Sequence, residues 1–137
     1  MTTLDTLCVT RLVPVVVLDD AADAGRLGDA LVDGGLPVAE VTFRTAAAAD
    51  AIRVLADRGD ILVGAGTILT PDQVDRAVAA GATFVVSPGL SRAVVERCRE
   101  HGVLPLPGAV TATEIQAAME LGPVSYTHLT LPTILRV

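Results

Sequence analysis

The sequence predicts an α/β fold in which short parallel strands alternate with amphipathic helices. Three observations point to this class. Apolar, β-branched runs of a strand's length alternate with segments whose apolar residues recur at the helical period. Hydroxyl or carboxylate side chains precede the helical segments, and glycines end them. Four of these glycines, Gly59, Gly81, Gly102 and Gly122, are 22, 21 and 20 residues apart, which is typical of compact βα units.

Five such units follow one another along the chain, and a sixth strand is expected just after Gly122. The predicted strands are Leu12–Leu18, Val38–Phe43, Ile61–Val63, Thr83–Val86 and Val103–Leu106. The helical residues predicted to face the core are Ala24, Leu27, Leu31 and Val32; Ala48, Ala51, Ile52 and Leu55; Val74, Ala77 and Val78; Val94, Val95 and Cys98; and Ile115, Ala118 and Met119. The predicted N-caps are Asp19 or Asp20, Thr45, Thr70, Ser91 and Thr111. Two of them, Thr70 and Thr111, have a glutamine or glutamate three residues later and so predict capping boxes.

The composition narrows the class of partner. At 137 residues the chain is at most one domain, and it is long enough to bury a core. A net charge of -6 and an aromatic content of 2% argue against a nucleic-acid partner. No apolar run approaches the roughly 20 residues of a membrane span, and no signal peptide is visible. Cys8 and Cys98 have no metal or redox spacing, so we expect a reduced, cytoplasmic protein without a metal or cofactor.

Polar residues interrupt the second predicted strand at every other position. Glu40, Thr42 and Arg44 fall on one face of this strand, and the apolar residues between them fall on the other. A glutamate in the middle of a strand is costly to bury unless it is paired, hydrated or used. The pattern fits an edge strand with a wet face, a structural Glu–Arg pair, or a general acid/base beside an anion-binding arginine.

Two architectures can be built from five βα units. One is a doubly wound sheet covered by helices on both faces, where Glu40 and Arg44 would lie under a helix. The other is the first part of an eight-unit barrel, which at this spacing needs nearer ~200 residues. In a barrel the same polar face looks into the lumen near the carboxyl ends of the strands. The sequence therefore favours the barrel.

Residues that could carry chemistry collect at the predicted strand ends. Besides Glu40 and Arg44, these positions hold Gly64–Thr67, Ser87–Gly89 and Pro107-Gly108. The Gly-Ala-Gly-Thr stretch is interpreted as a tight strand-to-helix turn, whose amides could also approach an anion. Arg44 is suited to holding a carboxylate by two hydrogen bonds, and Glu40 in a partly dry lumen to moving protons. Together they indicate a site for a small oxo-acid.

Four motifs at successive strand ends give this pattern a family resemblance. Val38–Thr45, Val63–Thr67, Ser87–Leu90 and Leu104–Gly108 closely resemble the class I 2-keto-3-deoxy-6-phosphogluconate (KDPG) and 4-hydroxy-2-oxoglutarate aldolases. The likeness extends over roughly Arg11–Gly122. It implies a (β/α)8 TIM barrel, usually a homotrimer, that cleaves KDPG to pyruvate and glyceraldehyde 3-phosphate through a Schiff base.

The resemblance also assigns roles to residues of this chain. It implies that Glu40 is the general acid/base, that Arg44 and Thr67 bind the pyruvate carboxylate, and that Pro88 forms part of the pocket wall. The expected partner is then a small 2-oxo acid, either pyruvate or KDPG, and not a nucleic acid or a membrane. The alternative hypothesis is a lysine-free half-barrel binding or interaction protein that retains the oxo-acid carboxylate site.

One departure from the family is severe. All ten basic residues are arginines, so the chain has no lysine to form a Schiff base. The family carries that lysine on strand six, where this chain reads Pro123-Val124-Ser125-Tyr126. The stretch 123–137 also has no capping signal, helical period or terminating glycine. We therefore predict a partial-barrel domain at 1–122, truncated before the lysine and inactive as it stands, and an atypical tail at 123–137 that is foreign to the domain.

Overall fold

The computed structural model describes residues 1–122, which form a parallel sheet with helices in the connections between its strands. The helices are α1 (Thr3–Thr10), α2 (Ala24–Asp33), α3 (Ala48–Arg58), α4 (Pro71–Ala79), α5 (Arg92–Glu100) and α6 (Ala112–Glu120), and a 3₁₀ turn at Ala21–Asp23 precedes α2. The strands are β1 (Val15–Val16), β2 (Val38–Thr42), β3 (Leu62–Gly66), β4 (Phe84–Ser87) and β5 (Leu104–Pro107). The predicted tail at 123–137 lies outside the described residues.

The five strands lie in the sheet in the order of the sequence, β1-β2-β3-β4-β5, and every pair is parallel. A doubly wound sheet would reverse its strand order at a switch point, whereas a barrel adds each strand beside the previous one. This sequential order confirms the barrel prediction for these five units.

The register aligns one row of residues across the whole sheet. Val15 pairs with Glu40, Glu40 with Gly64, Gly64 with Phe84, and Phe84 with Leu104. Because side chains alternate along a strand, this row shares one face of the sheet. The predicted polar face of the second strand therefore belongs to this inner face.

The two faces of the sheet bury separate sets of apolar residues. The outer set packs strand residues against the helices, and it includes Val41, Ala65, Val85, Ile52 and Val94. In the inner set, Leu7 of α1 packs with residues from β2, β4 and β5. The buried carboxyl of Glu40 shares the inner face with this apolar set.

Helix α1 was not predicted, although its signal is present in the sequence. Thr2 accepts a hydrogen bond from the Asp5 amide, and the Asp5 carboxylate accepts one from the Thr2 amide, which completes a capping box. The predicted first strand, Leu12–Leu18, is reduced to two paired residues. Two features account for the short strand. Strand β1 pairs with β2 alone among the described strands, and Pro14 has no amide hydrogen to donate to a neighbouring strand.

Most predicted caps and core positions agree with the structure. Asp20, Thr70, Ser91 and Thr111 each accept a backbone amide at a helix start. Thr45 does not cap α3, because its hydroxyl donates to the Leu18 carbonyl at 2.5 Å and the helix begins three residues later.

The prediction that Met119 faces the core was wrong, since it is 65% exposed. Helix α6 is the last described element, and Ala118 is its buried residue. Within residues 1–122, no helix has both the length and the apolar character that crossing a membrane requires.

Candidate active site

A cavity of about 260 Å³ opens at the carboxyl ends of the strands. Its lining residues are Val15, Glu40, Arg44, Thr67, Val86, Ser87 and Pro88. All four residues selected from the sequence, Glu40, Arg44, Thr67 and Pro88, therefore meet in one cavity. They come from the ends of β2, β3 and β4, so the parallel order of the strands brings them together.

Glu40 is the buried acidic group of this cavity. It is 8% exposed, and its carboxyl has no hydrogen-bond donor among residues 1–122. Burial raises the pKa of the Glu40 carboxyl above its ordinary value, and the positive charge of Arg44 partly offsets this effect. Such a carboxyl can hold and release a proton closer to neutral pH, as a general acid/base requires.

Arg44 supplies the positive charge of the cavity. It follows β2 by two residues and is exposed at the mouth. Arg44 takes part in none of the ion pairs among residues 1–122. Glu40 and Arg44 therefore do not form the structural pair that was one of the alternatives open from the sequence. Its guanidinium is therefore available to bind a carboxylate by two parallel hydrogen bonds.

Thr67 has a backbone conformation that is unusual for its residue type. Its φ is 58°, in the left-handed region, which is unfavourable for a β-branched side chain. Hydrogen bonds hold the backbone on both sides: the Phe43 amide donates to the Gly66 carbonyl at 2.8 Å, and the Ile68 amide donates to the Val86 carbonyl at 3.1 Å. Strain of this kind persists where the surroundings impose it, and it is concentrated at functional sites.

Pro88 begins the turn that follows β4. The buried Ser87 hydroxyl donates to the Gly89 carbonyl at 2.9 Å, and the Gly108 amide donates to the Ser87 carbonyl at 2.9 Å. A Cβ atom at Gly108 would lie 2.3 Å from the Pro88 carbonyl oxygen, so β5 packs closely against this turn. The wall formed by Ser87 and Pro88 is therefore supported from the neighbouring strand.

The predicted Gly-Ala-Gly-Thr turn is corrected by the structure. Gly64, Ala65 and Gly66 belong to strand β3, and only Thr67 lies beyond it. The two glycines have no positive φ, so their backbone does not need glycine. They leave room instead: a Cβ at Gly64 would lie 2.3 Å from the Phe84 ring, and one at Gly66 would lie 1.9 Å from Glu40 Oε1.

A second depression, of about 330 Å³, lies on the outer surface between α4 and α5. Three of its charged residues, Asp75, Arg97 and Glu100, pair with one another. Arg97 binds both oxygens of Asp75 at 2.7 and 2.9 Å, and His101 Nε2 lies 2.6 Å from Asp75 Oδ1. These contacts hold the pKa of Asp75 down at about 2. The depression thus joins two helices through ion pairs, and residues 1–122 contain no group of three or more metal-ligating side chains there or elsewhere.

The sequential parallel sheet and the polar cavity at its carboxyl edge define a βα-barrel protein whose cavity holds a buried carboxyl, Glu40, near an arginine, Arg44. The family model for KDPG and KHG aldolase matches residues 4–130. The chain therefore belongs to the KDPG and KHG aldolase family.

Individual relatives agree with this assignment. Over 113 residues the chain is 50% identical to a 2-dehydro-3-deoxy-phosphogluconate aldolase of Treponema pallidum, covering 82% of this chain and 54% of the relative. The corresponding protein of Haemophilus influenzae is 48% identical over 113 residues, covering 82% and 53%. The chain thus spans about half the length of the curated relatives that it matches.

Solved structures show the same fold. A 2-keto-3-deoxy-6-phospho-gluconate aldolase from Zymomonas mobilis superposes with a TM-score of 0.83 at 36% identity, over 94% of this chain and 67% of that protein. A KDPG aldolase from Legionella pneumophila superposes with a TM-score of 0.77 at 38% identity, over 81% and 54%. The latter holds pyruvate captured at low pH as a covalent carbinolamine intermediate. These neighbours place the five βα units in the TIM-barrel fold.

Proposed function

We propose that residues 1–122 are the amino-terminal part of a class I aldolase that cleaves KDPG to pyruvate and glyceraldehyde 3-phosphate through a Schiff base. The observation that carries this proposal is the Glu40 carboxyl, which is buried, has no described donor and faces a cavity that also contains Arg44 and Thr67. An unpartnered buried carboxyl is costly for the fold, and a proton-transfer role accounts for keeping it.

In this proposal each cavity residue has one task. The Arg44 guanidinium and the Thr67 hydroxyl bind the carboxylate of the 2-oxo acid, which orients its carbonyl carbon in the cavity. Glu40 takes a proton from the hydroxyl next to the breaking carbon–carbon bond, and later returns a proton to the pyruvate carbon. Pro88 and Ser87 shape the wall.

The electron pair of the breaking bond needs an acceptor, and an iminium formed with a lysine provides it. Residues 1–137 contain no lysine. We therefore propose that the lysine belongs to a longer parent protein, and that the 137-residue chain by itself does not catalyse the cleavage. We further propose, from the family resemblance, that the parent is a cytoplasmic homotrimer of carbohydrate metabolism in the Entner–Doudoroff pathway.

The first experiment is to sequence the source locus through the codons after Gly122. If the frame continues into a strand with a lysine, the full protein is expressed and pyruvate release from KDPG is measured. Glu40→Gln is expected to lower kcat by about 10²–10⁴-fold, whereas Glu96→Gln, which removes a surface glutamate of α5, is expected to leave kcat unchanged. Equal rates for the two variants would contradict the role of Glu40.

A second experiment uses the 137-residue chain itself. Treatment with pyruvate and borohydride is expected to give no covalent adduct except at the amino terminus, because no lysine amine is present. A mass gain on any other residue would overturn this reasoning.

The alternative function is a lysine-free protein that binds a 2-oxo acid without cleaving it. The presence of both Glu40 and Arg44 at one cavity within residues 1–122 supports this alternative, since binding a 2-oxo acid does not require the lysine. A genuine stop codon after Val137, a monodisperse chain and pyruvate binding that Arg44→Gln abolishes would support this alternative. Continuation of the frame into a lysine-bearing strand would reject it.

A further inference from the structure

The backbone conformation of strand β3 does not explain why residue 66 is a glycine. Gly66 lies at the end of a regular strand, and its φ is not positive. Glycine in a strand is unfavourable, because it loses more conformational freedom on folding than other residues and packs no side chain. A requirement for space is the remaining reason for a glycine at this position.

The neighbour that uses the space is Glu40. A Cβ atom on Gly66 would lie 1.9 Å from Glu40 Oε1, 2.7 Å from Cδ and 2.8 Å from Cγ. The backbone partner of Glu40 across the sheet is Gly64, and Gly66 lies two residues further toward the carboxyl edge. The Glu40 side chain therefore leans diagonally along β3 and lies over the bare backbone of Gly66.

The two inner-face glycines of β3 have different neighbours. The space at Gly64 is filled by the ring of Phe84, which is fully buried in the inner core. The space at Gly66 is filled by a carboxyl group that lines the cavity. The space at Gly64 thus allows the inner core to pack, whereas the space at Gly66 allows an acidic side chain to lie along β3.

We propose that Gly66 is a positioning residue, whose missing side chain lets the Glu40 carboxyl lie against β3 and face the cavity at the carboxyl edge. An alanine here displaces the carboxyl from the backbone toward the mouth, where Arg44 is the charged group among the described lining residues. The importance of Gly66 for catalysis rests on the proposed function, whereas its effect on the position of the Glu40 carboxyl does not.

The test is the titration of Glu40 in the 137-residue chain, followed by carbon NMR of labelled glutamate side chains and assigned with Glu40→Gln. In the unsubstituted chain the pKa of Glu40 is expected above its ordinary value, because the carboxyl is buried. In Gly66→Ala it is expected to fall toward that ordinary value, because the carboxyl moves toward solvent and Arg44. Gly89→Ala, beside the same cavity with no atom within 4 Å of the added Cβ, is the matched control and should leave the titration unchanged.

A second measurement covers the case in which Gly66→Ala folds poorly. If the added Cβ collides with Glu40, the loss of melting temperature caused by Gly66→Ala should largely disappear in a Glu40→Ala background. A loss that is equal in both backgrounds, or a Gly66→Ala chain whose Glu40 titrates as before, would overturn the proposal. Neither readout involves a substrate, so both stand even if the aldolase activity is disproved.

Discussion

Replacing Gly64 with alanine tests how closely the inner face of the sheet is packed. The added Cβ would lie 2.3 to 2.4 Å from three atoms of the Phe84 ring, Cε2, Cδ2 and Cζ. Carbon atoms in contact prefer about 3.5–4.0 Å, so ring and strand must separate by more than about 1 Å. Phe84 has no exposed surface and is paired through its backbone with Gly64, so neither partner has free space to move into.

Forcing extra volume into a packed core usually costs about 1–3 kcal/mol. We expect Gly64→Ala to fall at or above the upper end of this range, because three ring atoms collide at once. The assay is urea unfolding of the 137-residue chain, with Gly25→Ala as the control. A Cβ at Gly25 meets nothing within 4 Å, and this helical substitution should stabilise the chain by up to about 1 kcal/mol.

The ring is identified as the cause by a double substitution. Phe84→Leu removes the colliding ring, so Gly64→Ala should cost at least about 1 kcal/mol less in that background. If Gly64→Ala unfolds within about 0.5 kcal/mol of the unsubstituted chain, the close approach of ring and strand would be refuted.

Three further predictions concern charge and strain. Because burial raises the pKa of Glu40, its stabilising contribution is full below the unfolded value of about 4.3 and is lost as the pH rises through the folded value. Glu40→Gln should therefore be the more stable chain at pH 7 but not at pH 4, and urea midpoints that differ equally at both pH values would contradict this. Arg97 and His101 lower the pKa of Asp75 to about 2, so its contribution is present above about pH 4 and is lost toward pH 2. Asp75→Asn should lower the thermal midpoint at pH 6 and lower it much less near pH 2, and an equal loss at both would indicate a packing effect. Since Thr67 has a φ of 58°, Thr67→Gly should be about 1 kcal/mol more stable than Thr67→Ala, and the reverse order in urea unfolding would disprove the strain.

The order of the βα units and the starts of α4, α5 and α6 could be predicted from the sequence, because their causes are local. Thr70 and Thr111 cap helices through residues only three positions away, and the sequence displays both partners. The same locality made Glu40, Arg44, Thr67 and Pro88 candidates for the site, since each follows or interrupts a strand. Thr45 failed as a cap because a distant carbonyl, that of Leu18, competes for its hydroxyl.

The chemistry of the cavity was decided by tertiary structure. The sequence could not distinguish a paired Glu40 from an unpaired one, because the answer depends on which donors other strands bring near the carboxyl. The sequence predicts a turn at the glycines of β3, whereas in the structure they leave room for Phe84 and Glu40, which are 20 and 26 residues away along the chain. The left-handed conformation of Thr67 likewise follows from hydrogen bonds on both sides that join β3 to β2 and β4. Sequence patterns record local preference, while burial, strain and the absence of a partner arise only when distant strands are aligned side by side.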